Sequence, residues 1–570
     1  MRISTRLSHA RAAFTALATA VATAAVTALA GAGPAAAAAP AVEINYQNPV
    51  SALQPVSRPD TAHCTVTAMQ HDFANSYGQP FVGTLTPPAA CAGPWTKVVL
   101  DWSGSVAGRQ YDRLAGVWIG GSEVLRTSTP EPDPAGISWH VDADISRFIP
   151  LLRTPQPLVV DLGNIVNDTY TGIYHMTLTV TYYQADRRHP AASVADQVIP
   201  VSQSTSAAGW WALTAGQSAT QAVTFPRNLT GATLEVYARG GGCEEFWYTN
   251  APDSYNAAHP SHGLCGGGSY REVEVEVDGK LAGVAQPFPV IYSGGISPTM
   301  WRPIMSVDSL RTQAYSIDLT PFAGLLADGA AHQITLLPPA GISDVWLMDG
   351  SLFLSTDHHA AQTTGALLKD TIAAAPALTT TVTSPDASTD VITTQAGRDW
   401  TVSGYVNTSA GRVTTTVTQH TAYSNVDTVT QAGLAQSVQQ RDHGYTEVAT
   451  QSGRGRSSAV RDSWSYPIDV TSRFQPSATG SGFLVQGTAD VSRIAATDVR
   501  SGDDWRTTSR LTDHVTAGGV LQRDDSGNVV QADGTDAQDY SAQSAGAPCY
   551  HHEIEAAHGY VTSDRLFRCG

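Results

Sequence analysis

Apolar and polar residues alternate at a period of two along much of this chain. His175–Tyr183, HMTLTVTYY, alternates over nine residues. Glu272–Val277 repeats Glu-Val three times and closes on Asp278-Gly279, a hairpin-turn dipeptide. Period two puts the valines on one sheet face and the glutamates on the other, which predicts a solvated acidic face. Lys97–Trp102, Leu114–Ile119, Leu158–Leu162 and Leu234–Ala238 read as further short strands, and helical periodicity is scarce. Thr379–Ser465 changes texture: it is rich in Thr, Ser, Val and Gln, and Arg412–Thr418 (RVTTTVT) alternates. It predicts a third β-region with a polar surface. Asp524–Gln543 reads as a loop or flexible segment. Proline-bearing and polar breaks near Arg187–Ser202 and Thr356–Ala375 divide the chain into residues 40–190, 200–357 and 376–570.

Composition narrows the class. With 42% hydrophobic residues the chain can build packed cores, and with 15% charged residues it lies below the usual quarter or so. A formal charge of −17 makes nucleic acid or an anionic membrane surface a poor partner. The first residues set the compartment. Arg2, Arg6 and Arg11 precede an Ala/Val/Thr/Leu stretch to about Ala32, then Ala35–Ala39 and Pro40. This is the order of a secretory signal over residues 1–39, with a membrane anchor as the alternative, so the mature protein is expected to be soluble and extracellular. A monomer is expected as well. The six cysteines fall as sequence-local pairs, with Cys64–Cys91, Cys243–Cys265 and Cys549–Cys569 as the simplest disulfide pattern.

Three segments concentrate chemistry. In Gly108–Thr129, Asp112 and Arg113 stand at the mouth of a strand that is apolar on both faces and therefore central. Neighbours on a strand point oppositely, so the two do not simply pair. Each has a separate partner in the fold, or the pair is functional. In Gly242–Tyr255, Glu244 and Glu245 precede Phe246, Trp247 and Tyr248. Acids beside aromatic faces suit sugars, because rings stack on C–H groups while carboxylates accept hydroxyl hydrogens. The alternative is a turn whose aromatics fold into the core. Trp118 and Asp253 are further substrate-contact candidates. Pro287–Trp301, PFPVIYSGGISPTMW, is a loop that either lines a groove or merely connects strands. Tyr550–Glu553 with His558 lacks the H-E-x-x-H spacing and reads as a polar terminal loop, so no metal is expected. No G-x-S-x-G elbow, P-loop or dinucleotide fingerprint occurs.

These segments resemble a known family. Residues 108–132 (GRQYDRLAGVWIGGSEVLRTSTPEP), 158–183, 244–255, 269–283, 287–301 and 315–329 resemble, in order, the plant and fungal peptide:N-glycanases, or peptide-N4-(N-acetyl-β-glucosaminyl)asparagine amidases A. The resemblance covers about residues 45–360. It implies a secreted all-β hydrolase: two jelly-roll-like antiparallel sandwiches with the site between them, followed by the β-rich C-terminal region. The implied reaction cleaves the amide joining the innermost N-acetylglucosamine of an N-linked glycopeptide or glycoprotein to asparagine. It needs no cofactor. Some members of the family carry an acid at the position of Gly163. A weaker resemblance to bacterial two-jelly-roll peptide:N-glycosidases implies that Asp112 and Glu245 are the catalytic acids, with Glu244 as competitor. Arg113, Trp247 and Tyr248 are then expected to hold substrate. A non-catalytic glycan-binding protein and a carboxylate-pair glycoside hydrolase are the rival readings.

Overall fold

The computed structural model describes residues 45–568, apart from Arg454 and Asp503. The leader expected at residues 1–39 lies outside them. Among the described residues no helix is long and apolar enough to cross a membrane.

The fold is all-β. Eight strands from His63–Phe73 to Tyr174–Gln184 form two four-stranded sheets. Counted along the chain, their spatial orders are 1-8-3-6 and 2-7-4-5, which is jelly-roll topology. The next eight, from Trp211–Leu213 to Trp346–Thr356, repeat both orders, and Gln197–Val201 adds an edge strand to the first of their sheets. Two jelly rolls of identical winding thus follow one another. Alternation builds each core: Leu158, Val160 and Leu162 meet Ala115, Val117 and Ile119 inside the first roll. In the second, Val273, Val275 and Val277 face inward. Asp278 and Gly279, at φ 52° and 75°, make the expected tight turn into Lys280–Ala285.

Residues from Thr364–Asp370 to Tyr560–Phe567 form one antiparallel sheet of eleven strands, several of them about 20 residues long. It shares a hydrophobic core with the second roll: Trp400, Val417, Tyr466 and Val491 pack in the same cluster as Val273 and Trp301. Two expectations are corrected here. Val529–Ser544, which takes up most of the stretch read as a loop, is a strand paired with Asp504–Arg523. Its polar residues conceal the alternation, because Asp536 and Gln538 are buried and bond to Ile304 and Ala52 rather than to water. The Glu-Val strand does not present a solvated acidic face either. Arg398 of the long sheet covers it, pairing with Glu272 at 2.6 Å and with Glu274 at 3.4 Å.

Candidate active site

The chain between the strands ending at Val106 and beginning at Leu114 carries Asp112 to the mouth of the first roll. The strand that follows is central in its sheet, flanked by Ser122–Ser128 and Gln156–Leu162. Its outer face is apolar because the second roll covers it: Trp118 is 1% exposed, and its ring lies 4.9 Å from that of Trp210. The wall between the rolls holds a buried polar network. Arg126, fully buried, gives two hydrogen bonds to Glu123 at 2.9 and 2.7 Å and one to the Leu347 carbonyl. Asp349 accepts from Trp118 and Ser202, both at 2.9 Å.

Asp112 opens beside this wall. Its Oδ2 accepts the Gly294 N–H at 3.3 Å, so the loop Pro287–Trp301 lines the cleft. Burial lifts its pKa above the ordinary aspartate value, and the Gly294 N–H, Arg239 and Arg113 pull it only part of the way back. From the second roll, Arg239 ends a long strand and donates to Glu245 Oε2 at 2.9 Å. Its guanidinium centre stands 4.7 Å from the Tyr292 ring centroid. Glu245 is raised as well: burial dominates, Arg239 opposes it, and the charge of Asp112 adds to it. Two acids from different rolls therefore sense each other across one arginine. Such a pair titrates as a unit, and its second charge is the costly one.

Comparison with known proteins places the chain. The family model for peptide N-acetyl-beta-D-glucosaminyl asparaginase amidase A matches residues 49–372, and the model for that family's C-terminal domain matches residues 391–468. The chain belongs to that family. A relative is the peptide-N4-(N-acetyl-beta-glucosaminyl)asparagine amidase A of Prunus dulcis, 36% identical over 405 residues, covering 68% of this chain and 70% of the relative. Among solved structures, PNGase F of Flavobacterium meningosepticum is 13% identical, with a TM-score of 0.35, over 52% of this chain and 96% of its own. PNGF-II is 14% identical, with a TM-score of 0.36, over 52% and 66%.

The other residues singled out in this family member fall in different places. Glu244 is fully buried and closed. Arg271 donates to its two oxygens at 2.6 and 2.8 Å, the Trp346 indole at 2.9 Å and the Ser343 N–H at 2.9 Å. Burial would raise it, but Arg271 and these donors hold it below the ordinary glutamate value. It has no oxygen to offer a substrate. Trp247 and Tyr248, at 3% and 0% exposure, lie in the core of the second roll, so sugar stacking there is corrected. The short turn that exposes Glu245 folds the next aromatics inward. Trp118 belongs to the inter-roll wall. Asp253 is exposed and caps the Gly267 N–H at 3.0 Å. Arg113 is buried, bonded to Gln110 at 2.8 Å and stacked 3.6 Å from the Tyr111 ring centroid, so it acts on Asp112 as a charge. Disulfides join Cys64 to Cys91 and Cys243 to Cys265, the second pinning the loop of Glu245. Cys569 lies outside the described residues.

Sequence reasoning missed four participants. Arg239 lies near the end of the strand Leu229–Gly240, six residues before Glu245, and nothing in that strand marks it. Glu131, within the quoted TPEP, pairs with Arg302 at 3.0 Å. A methyl group on Gly294 would lie 3.0 Å from both Asp112 Oδ1 and Glu131 Oε1, so these two acids flank that glycine. Tyr111, immediately before Asp112, stands edge to face 5.0 Å from Tyr170, and both are half-buried. A further acid, Asp161, registers opposite Gly116 and is pushed up to about 6 by burial.

Proposed function

We propose that this protein hydrolyses the amide between the innermost N-acetylglucosamine of an N-glycan and the asparagine side chain. The products are aspartate in the peptide and a glycosylamine, which then loses ammonia. The observation that carries the reading is the Asp112–Arg239–Glu245 arrangement: two acids, one arginine and a backbone N–H converging from both rolls. An amide is a weak electrophile with a poor leaving group, so water must be activated and the departing nitrogen protonated. Asp112 takes the proton of the attacking water and returns it to nitrogen as the C–N bond breaks. Glu245, held by Arg239, orients the water. Arg239 and the Gly294 N–H supply positive potential to the developing oxyanion. Tyr111 and Tyr170 replace Trp247 and Tyr248 as the surface on which the sugar stacks. The leader and the disulfides support an exported enzyme.

The test is mass spectrometry of a defined N-glycopeptide treated in heavy-oxygen water. Amidase action releases the whole glycan and leaves aspartate carrying the heavy oxygen. A peptide that keeps one N-acetylglucosamine on asparagine would replace this reading with a glycosidase. Binding without release would make the protein a lectin.

A further inference from the structure

The loop closed by Cys243–Cys265 carries Glu245 at one end and two histidines at the other, His259 and His262. The far end rests on the C-terminal sheet through a small apolar cluster of Ala251, Tyr255, Leu264, Ile392 and Val429. At this end of the loop these five side chains are a small apolar joint. Beside it, His259, His262 and Asp390 each bring one ligand atom within 4.8 Å of the other two, and all three are half-buried. The histidine rings face each other with centroids 4.9 Å apart. Asp390 comes from the strand Thr389–Thr408 of the long sheet.

We propose that His259, His262 and Asp390 bind a divalent transition ion, Zn2+ by preference, which clamps the disulfide loop to the C-terminal sheet. Two imidazoles and one carboxylate are a zinc donor set that leaves a position for water. Bond lengths of about 2.0–2.2 Å bring such ligand atoms to roughly 3.4 Å apart, so modest side-chain rotation closes the site. The surroundings hold the ligands in place. The Asp390 Oδ1 accepts from Ser384 at 2.6 Å, an outer partner of the kind that orients metal-binding carboxylates. The His259 ring stacks on Tyr255 at 4.5 Å, and the His262 N–H bonds the His259 carbonyl at 3.0 Å. The His262 backbone lies against Gly433, in the turn Gln431–Gly433 that joins two strands of the long sheet, where a side chain would collide with it. The Tyr255 hydroxyl bridges His262 Nδ1 at 2.9 Å and Asp390 Oδ2 at 2.7 Å. An ion between ring and carboxylate competes with that bridge.

A second cluster, Asp539, His551 and Glu553, is an ordinary surface group by comparison. His551 already pairs with Asp539 at 2.9 Å, and Glu553 with Arg565 at 3.1 Å. The H-x-x-H spacing of His259 and His262 is uninformative by itself, because the third ligand, Asp390, lies far along the chain.

The experiment is Zn2+ titration of the full-length protein by calorimetry, with bound metal counted after dialysis. The expected result is one tightly held equivalent and a melting temperature raised by the metal. His262→Gln and Asp390→Asn should each weaken binding at least about tenfold, and His551→Ala should not. Tyr255→Phe decides between an ion site and a hydrogen-bond network, because it removes the competing bridge and keeps all three ligands. Binding that is undiminished or tightened supports the ion site. No equivalent bound by wild type, or one lost equally in His551→Ala, overturns the proposal. These readouts do not depend on glycan release, so they stand apart from the proposed reaction.

Discussion

Glu244 and Glu245 are neighbours in sequence and opposites in environment. Glu244 meets Arg271 with both partners' side chains at 0% exposure and every oxygen engaged. Glu245 meets Arg239 through one oxygen, with both partners about a fifth exposed. The first pair is finished. Its arginine also caps the Gly268 and Tyr270 carbonyls, tying the disulfide loop to the second roll. The second pair is held open toward Asp112. A buried ion pair complete in itself supports architecture, whereas one left partly unsatisfied at a cleft has capacity for substrate.

The comparison breaks most sharply at Asp112, the proposed catalytic acid. Asp112→Asn should lower turnover on an N-glycopeptide by about 10²- to 10⁴-fold while leaving the melting temperature near wild type. Retained activity would remove Asp112 from the chemistry. The next effect reverses the pattern. Glu244→Gln leaves Arg271 buried without its counter-charge, a loss of about 3–5 kcal/mol. It should appear as a lower denaturation midpoint. Glu245→Gln should barely move that midpoint but should cut kcat. Equal stability losses in the two variants would erase the distinction drawn between them.

Much of this was legible in the chain. The period-two runs predicted an all-β fold, and Asp112 with Arg113, and Glu244 with Glu245, stood out as charges in unusual company, with the choice between the two glutamates left open. What failed was sidedness across elements. Trp247 and Tyr248 looked like a sugar platform because nothing local tells whether a turn points aromatics outward or inward. The glutamates of Glu272–Val277 looked solvated because Arg398, which covers them, comes from a sheet more than a hundred residues on. Glu131 was invisible for the same reason, because its partner Arg302 lies far along the chain. Arg239 is only six residues from Glu245, but an ordinary charged residue near a strand end carries no mark of the turn that brings the two together.

The long sheet also reaches the open site, which gives a smaller effect. Gly534 underlies the Thr299 carbonyl, and Gly487 underlies Ile296, so the loop bearing Gly294 lies directly on bare backbone. Gly534→Ala would push Thr299 away and loosen the Gly294 N–H on Asp112. That N–H lowers the Asp112 pKa, so its loss raises it further. The expected result is about a tenfold loss of kcat and a limb of the pH–rate profile shifted to higher pH. An unshifted limb would show that the loop does not tune the acid.

The mildest test concerns the closed side of the comparison. Asp427, Asp442, Asp513 and Asp536 are buried in the long sheet, and burial pushes each up to about 7. Their main partners are neutral: Gln436 at 2.7 Å, the Trp464 indole at 3.4 Å, Gln538 at 2.8 Å and the Ile304 N–H at 2.8 Å. Asp513 also senses Asp308, Arg493 and Arg311, whose charges largely oppose one another. In the unfolded chain these acids return to about 4. The folded state therefore holds more protons between about pH 4 and 7, and unfolding releases them. Their contribution is fully present below about pH 4, declines as pH rises through 7 and is flat above. The melting temperature should thus fall from pH 5 to 8 by on the order of 5 °C. Asp442→Asn, which keeps the shape and removes the charge, should flatten that slope and melt higher than wild type at pH 8. If its slope matches wild type, Asp442 is ionised and solvated in the folded protein, and the closed side is wetter than its burial implies.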